Sequence, residues 1–274
     1  MLKIIQLTDC HLVPKGEMIF GSDPHQRLTA AVADINRHHG DAALCVVTGD
    51  LAHHADLSAY VLLRETLNGL SVPYQLLAGN HDNRATLHSV FPELSLDTNG
   101  FVQTVRDTSA GRLIFLDTVE EGVHTGLFCK TRQYWLAEML ETSDNRPVYL
   151  FMHHPPFPIA LPHIDQYVMT NGDEFARVVA GRPNIRHIFF GHVHRPVSGS
   201  WHGIPFSALR GTNHQSWLTF EETRKNICSL EPPAYAVIFL DRDRTIVHYH
   251  DYLDANPRYA YDPDAPLDDQ VIRI

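Results

Sequence analysis

Five short motifs carrying histidine and acid lie along this chain, each at the end of an apolar run. They are Asp9-Cys10-His11, Gly49-Asp50, Gly79-Asn80-His81-Asp82, His153-His154 and Gly191-His192-Val193-His194. Carboxylate and imidazole suit Fe, Mn, Zn or Co better than Ca. Together the motifs hold enough such groups for two divalent ions. A two-metal site hydrolyses esters by polarising the ester oxygen and activating water, so phosphate esters are the expected substrates.

Taken singly, the motifs are weak signals. Asp and His are common at strand ends, and Gly-Asp is ordinary turn chemistry. Gly79-Asn80-His81-Asp82 also reads as a polar turn in which Asn80 tolerates a left-handed backbone. Alternate histidines on an extended segment point to one side, so His192 and His194 can reach one site. A histidine-rich surface turn is the competing reading there. The coincidence of all five motifs, in order and each at a strand end, decides for a binuclear centre.

These motifs need strands to deliver them. Leu2–Leu7 reads as a strand ending at Asp9. Asp23-Pro24 resembles an N-cap and first turn, followed by Leu28, Ala31, Val32 and Ile35 at helical spacing, with Gly40 as a stop. Residues 43–48 form a buried-type strand before Asp50, and Tyr60, Leu63 and Leu67 share the face of a second helix. Residues 74–78 lead to Gly79. Strands are expected at 102–105 and 113–116, a helix from about Thr131, and a strand over 147–152 delivering His153. A short helix around Phe175, Val178 and Val179 precedes Ile185–Phe190, which delivers His192 and His194. Residues 204–209, Tyr235–Leu240 and 245–252 suggest a β-rich end. Early β-α alternation and later consecutive strands imply an α/β sandwich of mixed sheets. Loops beyond strand carboxyl ends are where such sheets place ligands. Residues between Ser216 and Pro233 read as a flap or small cap, and the tail from Asn256 as surface chain.

The chain has 274 residues, 44% apolar and 20% charged, enough for a sizeable core. Its net charge of −10, with no Lys/Arg cluster, repels polyanions and argues against a nucleic-acid polymer as partner. Cys10, Cys45, Cys129 and Cys228 form no C-x-x-C pair and fit reduced thiols in the cytoplasm. The opening residues read as a strand rather than a leader, and no apolar run approaches membrane-spanning length.

From Asp9 to His194 the motifs resemble those of the calcineurin-like metallophosphoesterases, and the likeness weakens after about Gln215. The resemblance implies a four-layer α/β/β/α sandwich with a catalytic unit over residues 1–215. Residues 216–274 would complete the sandwich and serve as a cap or oligomerisation element. It implies that Asp9, His11, Asp50 and His194 bind one metal ion, that Asp50, Asn80, His153 and His192 bind a second, and that Asp50 bridges them. It also implies that His81 acts on the reacting phosphate without binding metal. Asp82 would fix its tautomer or merely cap a turn. Two ions facing only two carboxylates stay strongly positive, which draws in a phosphate and lowers the pKa of bound water from ~15.7 toward ~7. Hydroxide held there would attack phosphorus in line with the leaving alkoxide.

Other histidines divide by position. His154 is expected to point away from His153 as a buried structural residue. Gly211-Thr212-Asn213-His214-Gln215 resembles a segment near the pocket in one branch of the family, making His214 a substrate contact with Asn80 and His81. Cys10 is expected to pack in the core. His38-His39 and His53-His54 are adjacent rather than same-face pairs, with His53 and His54 read as solvated loop residues, and His248 and His250 as sheet-face or surface residues. The branch resembled contains class III cyclic-nucleotide phosphodiesterases and bacterial glycerophosphodiesterases. Small phosphodiesters are therefore the expected substrates, and a homo-oligomer the expected assembly. A phosphomonoesterase is the alternative within enzymes. A metal-bound scaffold for protein partners is the alternative outside them, and the full ligand set argues against it.

Overall fold

The computed structural model describes residues 1–222, 225–265 and 271–273. In chain order its elements are β1 (Leu2–Leu7), α1 (Pro24–His38), β2 (Leu44–Thr48), α2 (Leu57–Leu67), β3 (Tyr74–Leu77), α3 (Arg84–Val90), β4 (Thr104–Thr108) and β5 (Gly111–Phe115). There follow α4 (Lys130–Glu141), β6 (Val148–Met152), α5 (Pro162–Asp165), α6 (Gly172–Val179), β7 (Ile185–Phe190), β8 (Val197–Trp201) and β9 (Ile204–Ala208). The chain closes with β10 (Gln215–Ser216), β11 (Cys228–Ser229), β12 (Tyr235–Leu240), β13 (Thr245–His250), β14 (Tyr259–Tyr261) and β15 (Val271–Arg273).

Two mixed sheets result. One runs β13-β12-β1-β2-β3 and the other β4-β5-β6-β7-β9-β8. β1, β2 and β3 are parallel, as are β5, β6, β7 and β9, so every motif-bearing strand of a sheet ends at the same edge. β12 lies antiparallel against β1, so the C-terminal segment completes the first sheet.

Alternation along the strands makes the layers. On β1 and β2, Ile5, Leu7, Cys45 and Val47 face α1 and α2, whose Leu28, Ala31, Ile35, Tyr60 and Leu63 join the same core. The intervening Ile4, Leu44 and Val46 meet Leu113, Phe115, Phe151 and Phe189 of the second sheet. Ile114, Leu150, Met152 and Phe190 face the other way, onto Leu136 and Leu140 of α4 and Phe175 of α6. The order is therefore helix, sheet, sheet, helix, as expected. Helix α1 starts as its sequence predicts, because Asp23 accepts from the backbone N–H groups of His25 and Gln26 and Pro24 opens the first turn.

Several boundaries differ from expectation. The strand expected at 102–105 is Thr104–Thr108, since its pairing with β5 is set by the turn at Gly111 rather than by its apolar residues. α3 and β8 carried too little periodicity to be foreseen; β8 is an edge strand with an exposed middle. The segment expected as a flap is a narrow ribbon, with β10 paired to β11 and Trp217 N–H bonded to the Ile227 carbonyl. Positions 223 and 224 of that segment lie outside the described residues. From Asn256 the described tail is largely exposed, with β14 and β15 paired as a hairpin. Among the described residues no helix is long and apolar enough to cross a membrane.

Phe151 is fully buried between the sheets, stacked on Phe115 at 5.5 Å and Phe189 at 4.7 Å between centroids. Truncating it opens a cavity that two rigid sheets cannot close. Phe151→Ala should cost about 3–5 kcal/mol, read as a lower urea midpoint at unchanged m-value in the metal-free protein.

Candidate metal centre

The strands stop short of their motifs, and the chain reverses over the sheet edge within single residues. Asp9, His11, Asp50, His192 and His194 all have positive φ, between 46° and 67°. Asp and His tolerate the left-handed region better than most residues, but such positions persist only where the surrounding structure holds them. This corrects the extended reading of Gly191-His192-Val193-His194. The two histidines reach one site because each sits in a tight turn. Asn80, by contrast, is not left-handed.

Neighbouring loops pin the turns. Asp9 and His11 donate their backbone N–H to the Gly49 and Asp50 carbonyls, and the Asp9 carboxylate accepts from the His192 N–H and the Thr8 hydroxyl. A Cβ at Gly79 would strike the Asp50 carboxylate and come within 2.8 Å of the His153 ring, so only glycine fits that contact.

The side chains converge. Asp9, His11, Asp50 and His194 offer ligand atoms that all lie within 4.8 Å of one another. His194 Nε2 is 3.2 Å from Asp9 Oδ1, and His11 Nε2 is 3.1 Å from His194 Nε2. Asp50 reaches two groups at once: its Oδ2 is 3.5 Å from His11 Nε2 and its Oδ1 is 3.3 Å from His153 Nε2. On the second side His153 Nε2 is also 3.2 Å from Asn80 Oδ1. His192 stands beside His153, with 5.1 Å between centroids, and its buried Nε2 has no hydrogen-bond partner.

The far ring nitrogens fix the tautomers. His153 Nδ1 donates to the Thr48 carbonyl at 2.7 Å and His194 Nδ1 to the His214 carbonyl at 2.8 Å. Each Nε2 is thereby left as the inward-facing nitrogen, which is how metal-ligating histidines are held. The orphaned His192 Nε2, the converging oxygens and these carbonyl-anchored rings fit a pair of divalent ions. The first group could hold one ion, and Asp50, Asn80, His153 and His192 a second.

Charge in this buried site is finely set. Burial alone would raise the Asp50 pKa, but His153 and His81 hold it well below the ordinary carboxylate range. Burial would lower His153, yet the adjacent Asp50 charge pushes it up to about 9. Burial and the His153 charge drive His192 down to about 3.

Asp82 does not orient His81. Its carboxylate accepts from the N–H groups of Leu51, Ala52 and Gly79 and from the Tyr60 hydroxyl. Burial, then the Asp50 charge, raises it to about 6. It ties the second and third motif loops together, and its placement as a catalytic residue is corrected. The His81 partner is instead the His53 carbonyl, 2.8 Å from Nδ1.

His53 is also corrected: it is half-buried, stacked on His81, with its Nδ1 3.1 Å from His11 Nδ1. A ligating His11 needs an acceptor for its far N–H, and that requirement was the available signal for a residue near Asp50. His124, 3.1 Å from the Asn80 amide nitrogen, came with no motif at all. His214 is buried, 4.5 Å from His194 and 4.9 Å from His11 between ring centroids. His154 is buried with Nδ1 against the Thr118 hydroxyl, yet its ring also lies 4.8 Å from His192. Cys10 sits in the core under the first sheet. His250 bonds Asp34 at a distance from the motifs.

These groups floor a cleft of about 300 Å³, walled by Phe20, His53, His124, Ile164, Tyr167, His214 and Cys228. No lysine or arginine is among its described lining residues. Arg84, Arg195 and Arg210 are instead paired with Asp117, Glu231 and Asp251.

A family model described as calcineurin-like phosphoesterase matches residues 2–196. The chain belongs to the calcineurin-like phosphoesterase family. Among its relatives is a probable cyclic nucleotide phosphodiesterase of Rhodopseudomonas palustris, 40% identical over 94% of this chain and 96% of that one. A probable glycerophosphodiester phosphodiesterase of Arcobacter nitrofigilis is 27% identical over 91% and 93%. A 3′,5′-cyclic adenosine monophosphate phosphodiesterase of Escherichia coli is 28% identical over 77% and 76%. A dimetal phosphatase from Danio rerio shares the fold at a TM-score of 0.70 and 16% identity, over 92% of this chain and 97% of that one. With this membership the phosphoesterase is an enzyme of phosphoric diester hydrolysis.

An ion held by His153 Nε2 would displace the proton on that nitrogen. In the metal-free protein His153 is protonated below about 9. Affinity for Mn or Zn should therefore rise at least about tenfold per pH unit between 7 and 8.5, with one proton or more released, because the Asp9 charge also raises His194 against its burial. Calorimetry in buffers of different ionisation enthalpy reads that proton. A pH-independent affinity would contradict the His153–Asp50 pairing.

Proposed function

We propose that this phosphoesterase is a two-metal phosphodiesterase for small diesters, with 3′,5′-cyclic nucleotides as its first substrate class and glycerophosphodiesters as its second. The observation that carries the two-metal reading is Asp50, whose two oxygens face His11 and His153 separately. Asp9, His11, Asp50 and His194 hold one ion, and Asp50, Asn80, His153 and His192 the other. The donor set suits Fe, Mn, Zn or Co. When bound, such ions neutralise phosphate charge and make water acidic enough to react at neutral pH. The relative that is 40% identical is named for cyclic nucleotides, which supports the substrate class.

The chain's own residues then position and protonate. His81 donates Nδ1–H to the His53 carbonyl, and its backbone N–H holds Asp50, so Nε2 is the nitrogen left for substrate. In the imidazolium form, which carries a second proton on Nε2, that nitrogen stabilises the phosphoryl oxygens or hands its proton to the departing alkoxide. Asn80 turns its oxygen to His153 and its amide N–H outward, toward His124 and the cleft. His214 is kept neutral, since burial first and the His194 charge second lower it to about 2. It walls the phosphate without repelling metal. A diester carries one negative charge, so a cleft with no lysine or arginine among its described lining residues suits it better than a monoester.

Residues 1–215 act as the catalytic unit, with 216–274 completing the sandwich. Reduced cysteines are consistent with a cytoplasmic enzyme. We also propose a homo-oligomer formed through the C-terminal β-rich segment.

Protein stripped by chelator and reloaded with Mn or Zn should bind two equivalents. It should cleave 3′,5′-cyclic AMP and bis(p-nitrophenyl) phosphate in preference to p-nitrophenyl phosphate. Preference for the monoester would overturn the diester reading, and two equivalents of metal with no hydrolysis would favour a scaffold. His81→Ala should lower kcat by about 10²–10⁴ while metal content holds. Loss of metal in that variant would make His81 a ligand instead.

A further inference from the structure

Six rings run in a row along the cleft: Phe20, His214, His11, His81, His124 and Tyr167. Successive centroids are 5.1, 4.9, 4.8, 5.4 and 6.0 Å apart. The histidines belong to the metal centre and its surroundings. The carbocyclic rings at the two ends have no part in it.

Phe20 is the anomalous one. Ile19 and Ser22 exchange two backbone hydrogen bonds of 2.9 Å, so Phe20-Gly21 is a two-residue reverse turn. Both residues have positive φ, 51° at Phe20 and 78° at Gly21. That is the pattern of a type I′ turn, whose first position takes Asn, Asp or Gly. A bulky aromatic residue there is an outlier, and such strain collects at ligand clamps. The ring is also 60% exposed, while neighbouring Ile19 is buried. It stands edge-on to His214 with 70° between the planes and lines the same cleft. Neither the turn nor the core calls for a phenylalanine here. The ring has no polar atom, so it offers a ligand only an aromatic face.

We propose that Phe20 is the platform on which the base of a nucleotide diester stacks, and that it sets the preference for nucleoside arms over glycerol arms. This rests on the phosphodiesterase reading above. Base–aromatic stacking needs only a π-face, which every base has. A glycerol arm needs hydroxyl partners, which Phe20 lacks. Tyr167, at the other end of the row, is half-buried and carries a hydroxyl, so it suits a sugar or alcohol arm better.

The test uses the metal-loaded full chain with three substrates. These are 3′,5′-cyclic AMP, the methyl riboside 3′,5′-cyclic phosphate that lacks a base, and glycerophosphocholine. Phe20→Asn removes the ring and gives the turn a residue it favours, which separates the ring from folding. Phe20→Trp keeps a π-face. With Phe20→Asn, KM for cyclic AMP should rise about 5- to 100-fold, with kcat held and the KM of the base-free analogue unchanged. Phe20→Trp should restore cyclic AMP. An equal rise for both cyclic substrates, no rise for either, or an equal loss on glycerophosphocholine through its choline cation would overturn the platform. A wild-type enzyme that cleaves glycerophosphocholine but not cyclic AMP would overturn the cyclic-nucleotide reading itself, before any variant is made.

Discussion

The centre depends on one buried carboxylate placed between two sets of histidines. Asp50 is almost wholly excluded from water, where a lone charge would be costly. It stays ionised because His11, His153 and the His81 backbone N–H surround it. That arrangement requires loops from both sheets to meet over one point, with no side chain at Gly79 to hold them apart. The same buried negative charge raises His153 and weighs on Asp82. Much of the site's electrostatics therefore follows from one residue.

Holding the carboxylate there uses strained backbone. Five ligand-bearing residues are left-handed because each must leave its strand and turn inward at once. The fold holds them with three packed cores, one on the outer face of each sheet and one between the sheets. It adds crossed loop bonds, of which the Asp82 carboxylate supplies the largest share on the second and third motifs. A residue that looks catalytic by position is thus a brace, and its four donors explain why it must be an acid.

The cleft divides labour between the strand-end motifs and the loops. The motifs supply the floor, where the proposed reaction at phosphorus would take place. Phe20, His53, His124, Tyr167 and Cys228 of the β10–β11 ribbon supply the walls, where the organic arms of the proposed diester would lie. This division suits a family in which one chemistry serves different esters. It also suits an acidic chain: cations held at the centre would attract an anionic substrate locally, whatever the overall surface charge.

Much of the floor was legible in the sequence, because strand ends leave a local trace. An apolar run followed by Gly-Asp or His-x-His marks both an element and the residue it delivers, and the layer order follows from alternation within β1, β2, β5 and β6. The walls were not legible. His124 and Phe20 lie in loops without periodicity, and nothing in residue spacing says which loop folds over which strand end. His53 was misread as solvated because its role depends on His11, 42 residues away in sequence but 3.1 Å away in space. The role of Asp82 is hidden for the same reason, since three of its four partners, Leu51, Ala52 and Tyr60, lie outside its own motif. The sequence by itself determined the set of imidazole, carboxylate and amide groups and the strands that carry them. Only the tertiary structure decided how those groups share Asp50, which residues orient them and what surrounds the substrate, because these depend on contacts between loops distant along the chain.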